Sequence, residues 1–184
     1  MKEKKVKEVM IPLSDYATIS EDETLGNAIK ELKEAQKATK YTRKHRAVLA
    51  FDENDNITGK VSIRCIFKAL EPKYGQFGHP ENINTMGLSR FGFSDKFLGS
   101  LLENHSLWDE TLDQLVKKGA KQKVKDVMSK PMPGEFVSED ATVAEAVHHF
   151  ILGCHQSLLV VKEDLVTGIV RMVDLFDLVS ELVE

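Results

Sequence analysis

The stretch Val124-Lys125-Asp126-Val127-Met128 decides the fold, because it repeats Val6-Lys7-Glu8-Val9-Met10 at an offset of 118 residues. The same offset aligns Ile19-Ser20-Glu21-Asp22 with Val137-Ser138-Glu139-Asp140. Self-similarity at a constant spacing is the sequence signature of an architecture built from like units. We therefore expect two copies of one supersecondary unit.

The helix that follows each motif keeps the register of the repeat. Apolar residues recur at i, i+3, i+4 and i+7 in both copies, which is typical of an amphipathic helix. These positions are Leu25, Ala28, Ile29, Leu32 and Ala35 in the first copy and Val143, Ala146, Val147, Phe150 and Gly153 in the second. Thr142 and Glu145 have the spacing of a capping box, so the second helix is expected to begin there.

Each copy then continues with a predicted hairpin and a closing helix. Apolar runs bounded by turn-forming residues predict the strands. The predicted strands are 46–51 and 57–63 in the first copy, and 156–162 and 165–170 in the second. About 60 residues of this kind bury too little surface to be stable alone. The sequence therefore predicts an α/β (α+β) fold in which two β-α-β-β-α repeats form a pseudo-two-fold pair with a cleft between them.

Composition excludes several classes of protein. An apolar content of 42% with 29% charged residues argues against global disorder, and no apolar run is long enough to cross a membrane. A net charge of −4 disfavours a general nucleic-acid binder. Because the start lacks a signal-peptide pattern and both cysteines, Cys65 and Cys154, lie in apolar stretches, we expect buried thiols and a cytoplasmic protein.

The order of elements and three motifs resemble the cystathionine-β-synthase (CBS) domain, whose tandem pair is called a Bateman module. The motifs are Val-Lys-Asp-Val-Met at 124–128, the helix start Ser-Glu-Asp-Ala-Thr-Val at 138–143, and Gly-Ile-Val-Arg-Met-Val-Asp-Leu at 168–175. The likeness covers residues 6 to 70 and 124 to 184. It implies regulation rather than catalysis, no required cofactor, and an adenosine ligand (AMP, ADP, ATP or S-adenosylmethionine) between the repeats. It also implies a homodimer.

In this family a Gly-h-h-[Ser/Thr]-x-x-Asp motif, in which h is an apolar residue, holds ribose with its acid and phosphate with its hydroxyl and the helix N–H groups. The first copy keeps the hydroxyl, Ser62, but has Cys65 in place of the acid. The second keeps the acid, Asp174, but has Arg171 in place of the hydroxyl. We expect Asp174 to hold ribose and Arg171 either to grip the phosphate or to fill the pocket.

Residues 37 to 46 contain five bases and no acid. This segment is either a solvated loop or a focus that attracts phosphate into the cleft. Arg46 opens a predicted strand near the ligand position that the resemblance implies, and His155 aligns with the same strand start in the second copy. Both are therefore candidate ligand contacts.

A metal centre or an active site has little support. The residues His148, His149, Cys154 and His155 lack the spacings that preorganise zinc, and the register places Cys154 near the core. The sequence also lacks a Gly-rich phosphate loop and a nucleophile elbow, so we do not expect an enzyme.

The segment 72–123 has no counterpart in the resemblance, which gives predicted units of 1–71, 72–123 and 124–184. We expect about 22 loop residues and then two short helices, the first capped by Ser94 and the second including Trp108 and Leu112. The insertion either packs on the pair or forms a lid or docking surface.

The last helix carries more apolar residues than one buried face needs, which indicates burial either against a second subunit, as in a homodimer, or within its own pair of repeats. These residues are Met172, Val173, Leu175, Phe176, Leu178, Val179, Leu182 and Val183. Two functions follow: a ligand-sensing module that acts on an unidentified partner in trans, or a ligand-free interaction scaffold.

Overall fold

A computed structural model gives the structure of the chain and describes residues 4–38, 41, 43–77, 94–181 and 183. The first repeat contains β2 (Thr18–Ser20), α1 (Leu25–Ala38), β3 (Ala47–Phe51), β4 (Ile57–Ser62) and α2 (Ile63–Leu70). The second contains β5 (Phe136–Ser138), α6 (Val143–Gly153), β6 (Ser157–Lys162), β7 (Leu165–Arg171) and α7 (Met172–Glu181). The predicted β-α-β-β-α order is thus confirmed twice, and the predicted strands end within one residue of the observed ones.

The two sheets have the same topology. In the first, β2 pairs parallel with β3, which pairs antiparallel with β4. In the second, β5 pairs parallel with β6, which pairs antiparallel with β7. The capping box at Thr142 and Glu145 is present, and it begins α6 where the sequence predicts. The capped helices and buried strands together confirm the α/β class.

The lead-in segment of each repeat folds onto the other repeat. Strand β1 (Ile11–Pro12) pairs with β7 of the second repeat, and Ser129 makes the corresponding bridge to Lys60 of the first. Val6 is fully buried in the core of the second repeat, whereas Val124, which begins the short helix α5 (Val124–Val127), is fully buried in the core of the first. Each repeated motif therefore packs in the core of the repeat to which it does not belong in sequence, which is an exchange of lead-in segments between the two halves.

A third apolar cluster joins the two sheets. Its buried members are Ile11, Tyr16, Leu49, Leu159 and Ile169, which come from both repeats. Such a shared core fixes the two repeats against each other.

The insertion packs partly on the first repeat. It contains a 3-10 helix (Pro72–Phe77), then α3 (Asp95–Asn104) and α4 (Leu112–Gly119). Helix α4 lies against α2, with Leu115 buried and Gly119 so close to Leu70 that a Cβ there would lie 2.7 Å from the Leu70 Cδ2. The predicted loop is thus wrong for its first six residues, which form a helical turn. Residues 78–93 lie outside the described residues.

The prediction that Trp108 belongs to the second helix is wrong. Trp108 precedes that helix with a φ of 61°, and its backbone N–H donates to Glu71 Oε2 at 2.7 Å. Helix α4 begins only at Leu112 because Thr111 and Gln114 form a capping box. The buried Glu71 carboxylate needs donors, which explains why the chain turns there instead of continuing as helix.

The expectation of a buried Cys154 is also wrong. Cys154 caps the C-terminus of α6 in the left-handed conformation, with φ 53°, and its side chain is exposed. Cys65 is half-buried on α2, and its Sγ lies 3.1 Å from Ser62 Oγ.

Candidate functional site

The junction of β7 and α7, together with the part of the first repeat that lies against it, is called the first cleft. It contains Arg171 at the end of β7 and Asp174 in the first turn of α7. Arg171 is only 5% exposed. Its Nε donates to Asp174 Oδ2 at 2.6 Å, and its Nη2 donates to Oδ1 at 2.5 Å. The predicted ribose acid and the predicted phosphate contact therefore lie together, but they bind each other as a two-bond ion pair.

The basic segment of the first repeat crosses this ion pair. The third guanidinium nitrogen of Arg171, Nη1, donates to the carbonyl oxygens of Arg43 at 3.0 Å and Lys44 at 3.2 Å. Arg43 in turn binds Asp177 on α7, with Nε to Oδ2 at 3.2 Å and Nη2 to Oδ1 at 2.9 Å. The Arg43 guanidinium holds the pKa of the Asp177 carboxyl below its usual range. One ion pair, Arg43 with Asp177, and two hydrogen bonds from Arg171 therefore connect the first repeat to the second.

An aromatic cavity of about 250 Å³ opens beside these charges. Its lining consists of Ser14, Asp15, Tyr16, Ala17, Glu31, Ala35, Ala38, Tyr41 and His45. The volume lies below the roughly 300–1,000 Å³ of pockets that enclose a drug-sized ligand. The cavity thus has room for one ring system but not for a whole drug-sized ligand.

His45 is the buried polar group of this cavity. It is 2% exposed, and its Nδ1 has no hydrogen-bond partner among the described residues. The ring centroids of Tyr16 and Tyr41 lie 4.4 and 6.2 Å from the His45 ring in edge-to-face geometry. Burial, with a smaller contribution from the positive charge of Arg171, lowers the pKa of His45. The imidazole is therefore neutral near pH 7, and its buried Nδ1 has no hydrogen-bond partner among the described residues.

The two tyrosines remain protonated at ordinary pH. Burial raises the pKa of Tyr16 to about 12. The pKa of Tyr41 is also raised to about 12, by burial and by the bond that its hydroxyl donates to Asp15 at 2.8 Å. The charges of Arg171 and Asp174 make smaller, opposing contributions to the pKa values of both phenols and of His45.

The equivalent junction, between β4 and α2, is called the second cleft. It is related to the first by the pseudo-two-fold axis. Ser62 is the N-cap of α2, where its Oγ accepts the Cys65 N–H at 3.1 Å. Lys60 Nζ binds Glu135 Oε1 at 2.5 Å, and His155 Nδ1 lies 3.7 Å from the same oxygen. Lys60, Glu135 and His155 side chains are each less than a fifth exposed. An internal ion pair thus fills this cleft.

Four of the five predicted contacts divide between the two clefts. Asp174 and Arg171 share the first, whereas Ser62 and His155 lie in the second. The Arg46 side chain is exposed, and its carbonyl accepts the N–H of Ile63 at the start of α2. The structure therefore does not bring Arg46, Ser62 and His155 to the acid.

Several residues of the first cleft were missed from the sequence. Tyr16, Tyr41 and His45 form its aromatic wall, and Asp177 binds the basic segment. One signal was present: Asp174 and Asp177 stand three residues apart, on one face of a helix, opposite a segment with five bases.

The CBS domain family matches residues 6–72 and 124–181, more than half of the chain. The chain therefore belongs to the CBS domain family, as a tandem pair, which confirms the resemblance seen in the sequence. A comparison with curated proteins finds no match.

Solved structures confirm the fold. CBSX2 in complex with AMP is 15% identical with a TM-score of 0.58, and the alignment covers 98% of each chain. A CBS domain-containing protein of unknown function from Bacillus anthracis is 16% identical with a TM-score of 0.62, covering 97% of this chain and 94% of the other. The CBS domain of a membrane protein from Sphaerobacter thermophilus is 18% identical with a TM-score of 0.60, covering 96% and 88%. In the part of the present chain that is described, no helix is long and apolar enough to cross a membrane.

Proposed function

We propose that this chain is a non-catalytic regulatory module that binds an adenine nucleotide or another adenosyl ligand in the first cleft and acts on a partner in trans. The observation that carries the proposal is the aromatic cavity with an unpaired buried His45 nitrogen, next to the charged groups Arg171 and Asp174. The AMP complex of CBSX2, which has the same fold, supports this ligand class. Binding would act on a partner only as far as the partner distinguishes the bound from the free arrangement of the repeats.

Each part of such a ligand has a counterpart in the cleft. The base would lie among the Tyr16, Tyr41 and His45 rings, where aromatic packing supplies contacts. The ribose diol would donate to the Asp174 carboxylate, and a phosphate would bind the Arg171 guanidinium. The second cleft offers no comparable acid, because Cys65 stands at that position.

A thermal-shift screen against AMP, ADP, ATP and S-adenosylmethionine tests the proposal. A ligand at 100 times its Kd stabilises the folded state by about 2.7 kcal/mol, which a melting curve resolves. Asp174→Ala should abolish the shift, while Ser62→Ala, in the second cleft, is the matched control and should leave it unchanged. No shift with any of the four ligands at millimolar concentration would refute the sensor function.

The assembly that we propose is a homodimer through the helices of the second repeat. On α7, Phe176 is 63% exposed and Val179 is also exposed, and Ile151 on the neighbouring α6 is exposed as well. Leu182 lies outside the described residues. Light scattering should give twice the chain mass, and Phe176→Glu should yield the monomer. A monomeric wild type at micromolar concentration would contradict the dimer.

A ligand-free interaction scaffold is the second candidate. The observation that favours it is that each cleft contains an internal ion pair, Arg171 with Asp174 and Lys60 with Glu135. Internal partners of this kind can replace a ligand as the group that satisfies buried charge. The same ligand screen separates the two functions, because a scaffold shows no shift. We propose a cytoplasmic location for either one.

A further inference from the structure

The helices that close the two repeats, α2 and α7, carry equivalent stripes of apolar side chains. Each helix begins directly after the last strand of its repeat, so corresponding positions differ by 109 residues. The corresponding positions of the stripe are Ile63 and Met172, Phe67 and Phe176, and Leu70 and Val179. In the first two pairs both side chains are exposed. In the third pair Leu70 is 5% exposed, whereas Val179 is 52% exposed. The same surface is therefore partly covered on the first repeat and open on the second.

The cover on the first repeat is helix α4 of the insertion. Gly119, at the end of α4, lies so close to Leu70 that it has no room for a side chain without a shift of Leu70. Leu115, one turn earlier on α4, is buried. Gln122 follows the helix and donates from Nε2 to the Ala69 carbonyl on α2 at 2.7 Å. Helix α4 is thus held on the C-terminal end of the α2 stripe by apolar packing and a hydrogen bond.

A helix in this position blocks the approach of a flat surface. Packed helices have axes about 8–10 Å apart, and a helix with its side chains is roughly 10 Å across. Helix α4 therefore raises one end of the α2 face by about the width of a helix. A second copy of the chain can lie against α7, where Phe176 and Val179 are exposed, but it cannot lie in the same way against α2.

We propose that α4 is an internal cap that blocks the association face of the first repeat and so confines the homodimer to the second repeats. The inference rests on the homodimer described under the proposed function, and it adds what keeps the first repeat out of that interface. On the first repeat, α4 takes the place that the second copy takes on the second repeat. Ile63 and Phe67, which α4 leaves exposed, belong to an association face that becomes available only when α4 is released.

The cap is tested in the Phe176→Glu variant, in which the second-repeat interface is broken. Leu115→Glu introduces a charge into the contact between α4 and α2 and should release α4, because a buried unpaired charge is strongly unfavourable. We expect the Leu115→Glu/Phe176→Glu variant to associate again, with a dimer Kd at least tenfold lower than that of Phe176→Glu in analytical ultracentrifugation. Adding Phe67→Glu should return it to the monomer.

A matched control places the same charge elsewhere on α4. Leu112 is exposed, so Leu112→Glu leaves α4 in place, and the Leu112→Glu/Phe176→Glu variant should stay monomeric. Faster tryptic cleavage after Lys117 and Lys118 reports the release of α4, since a docked helix is protected. If circular dichroism shows that Leu115→Glu is unfolded, Gly119→Leu replaces it, because the new side chain would collide with Leu70.

The outcomes separate the cap from the homodimer. A folded Leu115→Glu/Phe176→Glu variant that has released α4 and stays monomeric overturns the cap, and so does an association that Phe67→Glu does not reverse. Either result leaves the homodimer of the wild type standing. A monomeric wild type refutes the homodimer, and the cap with it. The ligand screen tests the sensor function separately, because none of the substituted residues lines the aromatic cavity.

Discussion

Truncation of Val6, which belongs to the first repeat in sequence, should destabilise the second repeat. The side chain is fully buried among Val137, Phe150, Leu158 and other core residues of the second repeat. The substitution Val6→Ala leaves the backbone bond from the Val6 N–H to the Ala141 oxygen, 2.9 Å, in place. Its effect therefore reports the packing of one side chain across the two repeats.

The magnitude follows from the buried surface and the space left behind. Removing two buried methyl groups costs about 1.6 kcal/mol at about 0.8 kcal/mol for each carbon. The unfilled volume adds up to about 1 kcal/mol at about 24 cal/mol for each Å³. We therefore expect Val6→Ala to lower the free energy of unfolding by about 2 to 3 kcal/mol.

Urea unfolding followed by circular dichroism measures this loss. With a slope near 2 kcal/mol per molar urea, typical of a small protein, the midpoint should fall by roughly 1 to 1.5 M. Val124→Ala, the counterpart in the core of the first repeat, should cost a similar amount, and Val183→Ala, at an exposed position, should cost almost nothing. A loss below about 0.5 kcal/mol for Val6→Ala would refute the exchange of lead-in segments.

Three further predictions follow from the clefts and the insertion. Titration with a binding nucleotide should give one site per chain, because the ion pair of the second cleft occupies the other position. Glu71→Gln should cost about 1 to 3 kcal/mol by leaving one buried backbone donor poorly matched, and it should shift the emission of Trp108, the single tryptophan, to longer wavelength. His45 should make the protein less stable as the pH falls below about 6.5: its pKa is lower in the folded than in the unfolded state, so protons bind preferentially to the unfolded chain. His45→Phe should flatten the dependence of stability on pH between 7 and 5.

Each of these has a control and a contradicting result. Two equivalent sites per chain would show that Lys60 and Glu135 do not close the second cleft. Glu103→Gln, an exposed change in the same insertion, should leave both stability and emission unaltered, and an equal effect there would remove the special role of Glu71. A His45→Phe variant with the same pH slope as the wild type would mean that another group titrates.

The fold was predictable because the repeated motifs carry the register of both halves. Matching Val6 to Val124 gives the repeat, and the hydrophobic pattern after each one gives the elements. The pattern does not tell which core each valine fills, since both positions are apolar and both units are alike. The exchange of lead-in segments is a tertiary property and appears only in the structure.

The candidate site was predictable in its chemistry and less so in its geometry. The departure at Arg171, next to the retained Asp174, drew attention to this turn, but the pairing of the two side chains depends on the backbone at the junction of β7 and α7. His155 and Ser62 were grouped with them because aligned positions in two repeats look equivalent in sequence. The pseudo-two-fold axis instead places them in the opposite cleft.

Trp108 and Cys154 show where periodicity misleads. Both follow apolar patterns that suit a buried helical position, yet each adopts a left-handed backbone beside a helix terminus. Local capping by Thr111, and the end of α6 at Gly153, decided these positions. At a helix terminus, the capping residues therefore predict the backbone conformation better than the apolar spacing next to them.

The exchange of lead-in segments also sets an order of events during synthesis. Val6 is synthesised 164 residues before Val170, which belongs to the core that Val6 fills. At roughly 5 to 20 residues per second, the core that accommodates this segment is complete only on the order of ten to thirty seconds later. The first repeat likewise cannot complete its core until Val124 has emerged. The lead-in segment of the first repeat therefore packs only after the second repeat has been made, and a nascent chain stalled before the second repeat would expose apolar surface to chaperones.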